Sequence, residues 1–247
     1  MTLSVDRYAD SIQEHCEGLA LAAPKVFDRR VEFCPDWNVQ DLVQHLIETH
    51  WFWATIVQQR LSRPPEEGRP VNVARDELID RFLEGARHLV DVLRAAKQSD
   101  PVWTWAPLQK DVAFVTRHQT QEMAIHHWDV AHVAGDKLVI DKDVAGDAIA
   151  EFLAVSVSSW SDPADLPRTP LDGRLGLWSS DLDKGWTICD GRSRGTVVFE
   201  PGVAEGTPTL TASSSDLLLW LYSRVSVSGD PRATALGERL HELSFTD

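Results

Sequence analysis

From Ser4 to Gly135 the apolar positions recur at steps of three and four residues; from Arg174 to Ser213 they alternate in short runs. The first regime predicts four helices. Residues 4–22 carry Val5, Tyr8, Ile12, Cys16 and Leu19 on one stripe. The second helix begins at Trp37–Asp41, with Asn38 as N-cap and Asp41 three residues later at the positive end of the dipole. It runs to about Leu61, and its expected inward stripe is Leu42, His45, Leu46, Thr49 and Trp53, with His50 off that stripe. A third helix spans about Asp76 to Gln98, buried through Leu78, Phe82, Leu89, Val92 and Leu93. A fourth opens near Val115 and stops at Gly135, a good residue for the position after a helix end. Between them, FDRRVEFCPDW reads as a plain connection, SRPPEEGRPVNV as a loop, and SDPVWTWAPLQKDVAF as a longer connection with a turn at PLQKD.

After GDKLVIDKD the pattern changes. One more helix, over 143–161, precedes four strand-like pieces, RLGLWSS, KGWTICD, GTVVFEP and TPTLTAS, each bounded by Gly, Asp or Pro. Trp178, Trp186, Ile188, Val198 and Leu210 alternate as half-buried strands should. Two helices close the chain, SSSDLLLWLYSR and DPRATALGERLHEL. The expected fold class is α+β in two domains. Residues 1–138 form a four-helix bundle, and residues 139–247 a small α/β domain with a short sheet and flanking helices.

Composition narrows the function more than the fold. The net charge of −14 over 247 residues argues against a general nucleic-acid binder and against docking on an anionic membrane. Three widely spaced cysteines, Cys16, Cys34 and Cys189, without a CxxC pair, fit a reducing cytoplasm. The N-terminus MTLSVDRYADSI lacks the basic start and apolar run of a signal peptide, and no stretch is apolar enough to span a bilayer. Nothing resembles a coiled-coil seam, so a monomer is expected.

Chemistry concentrates in RHQTQEMAIHHWDVAH, Arg117–His132. Glu122 and His126 stand four residues apart, one turn apart on one helical face, and Asp129 follows on nearly the same face. The ligand missing from that stripe is available in His45, on the apolar side of the second helix. His45, Glu122 and His126 suit zinc with one position open, the arrangement of catalytic rather than structural sites. Nickel or another divalent ion suits the same N/O set. Asp129 would then accept the second imidazole proton of His126, or else stand as a plain solvent-facing carboxylate. His118, His127 and His132 point to other faces of that helix and read as surface residues; His15 and His88, on other helices without a nearby carboxylate pattern, carry no chemistry. Cys34 reads as an inert buried thiol. Arg224, after the apolar LLLWLYSR run, is either a charge on the helix end or a bidentate clamp for a substrate carboxylate. No phosphate loop and no GxSxG elbow is present.

Three motifs in order, W-N-V-x-D-L-V-x-H-L at 37–46, E-x-x-x-H-x-x-D at 122–129 and L-L-L-W-L-Y-S-R at 217–224 with S-G-D at 228–230, resemble the mycothiol-dependent maleylpyruvate isomerase family. The resemblance implies a DinB-like metal-binding bundle followed by a small sterol-carrier-like domain. It implies His45, Glu122 and His126 as zinc ligands, Asp129 as an acidic residue of the site and Arg224 as the substrate-side arginine. The cofactors it implies are zinc, or another divalent metal, and mycothiol, in an actinobacterial cytoplasm. The activity it implies is cis–trans isomerisation of a conjugated cis-alkene acid by reversible thiolate addition, or transfer of the thiol to a small electrophilic carboxylate. Two alternatives share the metal set: a DinB-like hydrolase in which zinc activates water, and a non-catalytic metal-binding accessory protein.

Overall fold

The structure is a computed structural model and describes residues 2–158, 170–192 and 196–244. The chain divides into two compact units, Met1–Trp105 with Gln109–Val139, and Ala106–Leu108 with Ile140–Asp247.

The first unit is a ring of four helices. Helix α1 (Val5–Ala22) is opened by Ser4, whose hydroxyl accepts from the Arg7 amide. Helix α2 (Val39–Gln59) starts with a reciprocal capping box between Asn38 and Asp41. Helix α3 spans Leu78–Ala95. Helix α4 (Val112–Ala134) begins three residues ahead of the expected Val115, because the Asp111 carboxylate accepts from the Phe114 amide and caps it there. Gly135 ends it in the left-handed conformation (φ 85°). Helix α1 packs on α4 and α3, and α3 packs on α2, whereas α2 and α4, which close the ring, meet only sparsely. Phe82, Phe114, Ile12, Leu19, Leu42, Leu46 and Leu89 fill the interior.

Two expectations change here. The connection at 27–37 contains a small hairpin, β1 (Arg30–Val31) against β2 (Cys34–Asn38), which runs directly into α2. The buried side of α2 is also rotated from the expected stripe. Val39, Val43, Leu46, His50, Trp53 and Val57 point inward, His50 with no exposure at all, while the His45 side chain keeps 33%. One residue is about 100° of helix rotation, so the choice between adjacent stripes turns on which neighbour arrives, here chiefly α3, whose Phe82 stacks on His50.

In the second unit, α5 (Lys142–Phe152) widens into a π-helical turn at Leu153–Val157. The remainder of the expected 143–161 helix lies outside the described residues. The sheet has the order β5–β4–β3–β6, with β3 (Arg174–Ser179), β4 (Lys184–Asp190) and β5 (Val197–Pro201) antiparallel and β6 (Thr209–Ala212) parallel to β3. Helices α6 (Ser214–Leu221) and α7 (Pro231–Leu243) start at the caps Ser213 and Asp230. The apolar face is set by register: Leu175 pairs with Ile188 and Leu177 with Trp186, and all four are buried. Trp178 therefore falls on the other face and Val198 is exposed, against the alternation expected for both. No helix among the described residues is long and apolar enough to cross a membrane.

Candidate metal centre

The sparse α2–α4 contact leaves room for a polar cluster between those helices. His45 comes from α2; Glu122 and His126 come from successive turns of α4. The His45 Nε2 lies 3.4 Å from Glu122 Oε1, and the His45 and His126 rings meet edge to face at 5.9 Å. One ligand atom from each of the three lies within 4.8 Å of the others, close enough to converge on a metal ion. The donor set is two imidazoles and one carboxylate. It leaves a tetrahedral ion one open position, and all three residues are partly exposed.

Glu122 is held as an anion. Burial opposes its charge, but the hydrogen bond with His45 and the positive potential of His118 and His126 bring its pKa down to about 2. Gln119 Nε2 donates to Glu122 Oε2 at 2.8 Å, fixing the carboxylate from the preceding turn. His118 Nε2 stands 3.9 Å from the same oxygen. His118 is not a surface residue: its ring stacks on Phe114 at 5.2 Å and meets Trp105 edge-on. The Trp-rich loop thus reaches the centre through this histidine, and Trp103 stacks on Trp53 behind it.

Asp129 lies behind His126. It is 1% exposed, so the solvent-facing alternative does not hold, and its Oδ2 is 3.1 Å from His126 Nδ1. That contact assigns the Nδ1 proton to the carboxylate and leaves Nε2 as the basic nitrogen. Replacing Asp129 with Ala should lower zinc affinity on the order of 10- to 100-fold while leaving the helical circular dichroism intact. Competition against a zinc dye measures it, and unchanged affinity would remove Asp129 from the centre.

The β1–β2 hairpin walls the cluster, which the sequence pattern did not reveal. The Trp37 ring lies 4.7 Å from that of His45, and Phe33 packs on Trp128 and His132 at 5.9 and 6.0 Å. Trp128 stacks on His132, and His132 pairs with Glu32, so His132 alone of the histidines set aside on α4 is exposed. His127 and His15 meet through their Nδ1 atoms at 3.0 Å, in a close α1–α4 crossing. A Cβ at Gly18 would come within 2.3 Å of the His127 ring, so any side chain there would displace that ring. Burial lowers the His127 pKa.

Arg224 belongs to the second unit. It follows α6, its Nη1 donates to the Tyr222 carbonyl at 2.8 Å, and its guanidinium lies over the Tyr222 ring at 5.7 Å. It thus caps a carbonyl at the helix end.

A four-helix bundle with a His–Glu–His cluster between two helices that meet only sparsely defines a class of candidate metal-binding proteins. The family follows from comparison. The profile of the mycothiol maleylpyruvate isomerase N-terminal domain matches residues 8–131, and the chain belongs to that family. Two solved structures share the fold, that of the mycothiol-dependent maleylpyruvate isomerase and that of a point mutant of it, with TM-scores of 0.61 and 0.60. Each covers 92% of this chain and 93% of its own, at 12% and 11% identity. Among curated proteins none matches.

Proposed function

We propose that this chain is a metal- and thiol-dependent enzyme acting on a small conjugated cis-alkene carboxylate, and that its reaction is cis–trans isomerisation. The observation that carries the reading is the convergence of His45, Glu122 and His126, with Asp129 behind His126, in a chain of this family. These three residues would hold a zinc ion, and the ion's chemistry when bound is to keep a thiol ionised at neutral pH. The thiol of the family's name is mycothiol.

The residues of the chain divide the remaining tasks. Glu122 supplies the negative charge of the centre, kept in place by Gln119. Asp129 fixes the tautomer of His126. Trp37 and the hairpin wall one side with apolar surface, which strengthens electrostatic interactions within. Arg224 is the proposed clamp for the substrate carboxylate and for the enolate-like charge that develops beside it. A thiolate bound there would supply reversible addition to the double bond, which makes rotation to the trans isomer possible, while Arg224 would hold the substrate carboxylate throughout. No atom is gained or lost, and the thiol is regenerated. An adduct that fails to expel the thiol gives thiol transfer instead.

The test is turnover of a conjugated cis-alkene dicarboxylate by the zinc-loaded chain, followed with and without mycothiol. Thiol-dependent formation of the trans isomer is expected. Turnover that needs no thiol would overturn the reading in favour of zinc-activated water, and binding of zinc with no turnover of any kind would favour an accessory protein. In the same assay Arg224→Ala should keep its zinc and lose at least about 100-fold in kcat/KM for the dicarboxylate, as expected for a buried charge-assisted contact of about 3 kcal/mol. Unchanged kcat/KM would leave Arg224 as a helix-end charge.

A further inference from the structure

A second group of ligand atoms adjoins the first. Cys34 Sγ, one atom of His126 and one of Asp129 lie within 4.8 Å of one another. We infer that Cys34, His126 and Asp129 form a second metal-binding group that shares His126 with the first and gives this centre a thiolate ligand of its own. This deepens the reading of the centre as a metal site and rests on it through His126 alone.

The geometry comes from the hairpin. Val31 pairs with Cys34, Arg30 Nη1 donates to the Pro35 carbonyl at 2.8 Å, and Pro35 fixes the backbone immediately after the thiol. The Arg29 and Phe27 carbonyls accept from the first amides of α2, Val39 and Gln40, so the hairpin is anchored at its exit. Next to Cys34, Phe33 packs on Trp128 and His132, the α4 residues that flank Asp129 in the same turn. Phe33 thus holds the hairpin beside the thiol against the Asp129 turn. Donors around one tetrahedral zinc stand roughly 3.3–3.8 Å apart, from metal–ligand lengths of about 2.0–2.3 Å. Closing the group from a spacing of at most 4.8 Å takes no more than about 1.5 Å.

The donor chemistry differs between the two groups. His45, Glu122 and His126 offer nitrogen and oxygen; Cys34, His126 and Asp129 offer sulfur, nitrogen and oxygen, a set that favours zinc, cobalt and cadmium over magnesium or calcium. An ion entering the second group displaces the Cys34 thiol proton to solvent. Cys34 is half-buried and in no disulfide.

Cobalt(II) added to the metal-free full-length chain, with no thiol present, tests this. The expected result is a near-ultraviolet thiolate-to-cobalt charge-transfer band that is lost in Cys34→Ser and in Cys34→Ala and kept in Cys189→Ser. The band should persist in His45→Ala, which breaks only the first group, and vanish in His126→Ala. In the His45→Ala background, adding Cys34→Ser should weaken cobalt binding a further ~10-fold or more. Cobalt binding by the wild-type chain with no band would overturn the inference while leaving the first group standing. A band that survives Cys34→Ser, or one that disappears with His45→Ala, would overturn it too. A Cys34-dependent band in a protein that shows no response to added mycothiol would support it and contradict the thiol-dependent function instead.

Discussion

His126→Ala should abolish zinc binding at micromolar metal, lowering affinity on the order of 100-fold or more, with the fold retained. Outer groups that only orient a ligand contribute about 10- to 100-fold, and a ligand itself contributes more. His126 is the residue on which both ligand groups depend, so no neighbour replaces it. The side chain is about 14% exposed and lies at the sparse α2–α4 seam rather than in the packed interior, so its loss opens little cavity. Zinc stoichiometry by atomic absorption, with thermal unfolding followed in chelator, measures both halves. A His126→Ala protein that keeps one zinc per chain would mean that the ion binds elsewhere.

Acid should destabilise the metal-free protein between pH 6.5 and about 4, chiefly through His50. Burial holds the folded-state pKa of this imidazole at about 4, against 6.5 for an ordinary histidine. Its Nε2 lies 3.3 Å from Met123 Sδ and 4.0 Å from Cys16 Sγ, and its ring stacks on Phe82; burial there outweighs the Glu122 charge and the Phe82 backbone hydrogen bond, which favour the cation. The sign is fixed by linkage. Above pH 6.5 neither state binds the proton. Below it the unfolded chain takes up a proton that the folded chain refuses, so stability falls as pH drops. The fall from 6.5 to about 4 corresponds to roughly 3 kcal/mol once pH reaches 4. Glu122 acts lower on the scale: its folded-state pKa of about 2, against 4.5, contributes stability that disappears as pH falls from 4.5 toward 2. His127 and His241, whose pKa values burial also lowers, add smaller terms of the same sign as His50. Urea unfolding of the wild type and of His50→Leu, at pH 7 and pH 4.5, isolates the His50 part. The wild type should lose about 2–3 kcal/mol more than the variant over that interval; equal losses would mean that His50 is protonated in the folded protein.

The sequence made the elements readable where local chemistry sets them. Ser4, Asn38, Ser213 and Asp230 accept amide hydrogens at the helix starts, and Gly135 ends α4, all within a turn of the residues they serve. The strands at 174–179 and 184–190 stood out for the same reason, as alternating runs between turn residues. Features set by tertiary partners were hidden. His50 and His45 are five residues apart on α2, and which of them faces the core depends chiefly on α3 rather than on α2 alone. RLGLWS is apolar on both faces, so only pairing with Ile188 and Trp186 decides that Leu175 and Leu177 are inward. A two-residue β1 leaves no periodicity to detect, and with it went the neighbours of the centre, Cys34 and Trp37. His118 looked peripheral because its partners Phe114 and Trp105 lie on a different side of the helix and on a loop. By contrast Glu122, His126 and Asp129 share one helical face, and helix geometry alone places them together.

The central claim is that a metal ion at His45, Glu122 and His126 accepts an external thiol. It is tested most directly by loading Cys34→Ser protein with cobalt(II) and titrating mycothiol, since no thiol of the chain then lies at the centre. The account predicts a thiolate-to-cobalt band that grows and saturates at one thiol per chain, and that does not form in His126→Ala. A cobalt spectrum that stays unchanged through the titration would contradict it.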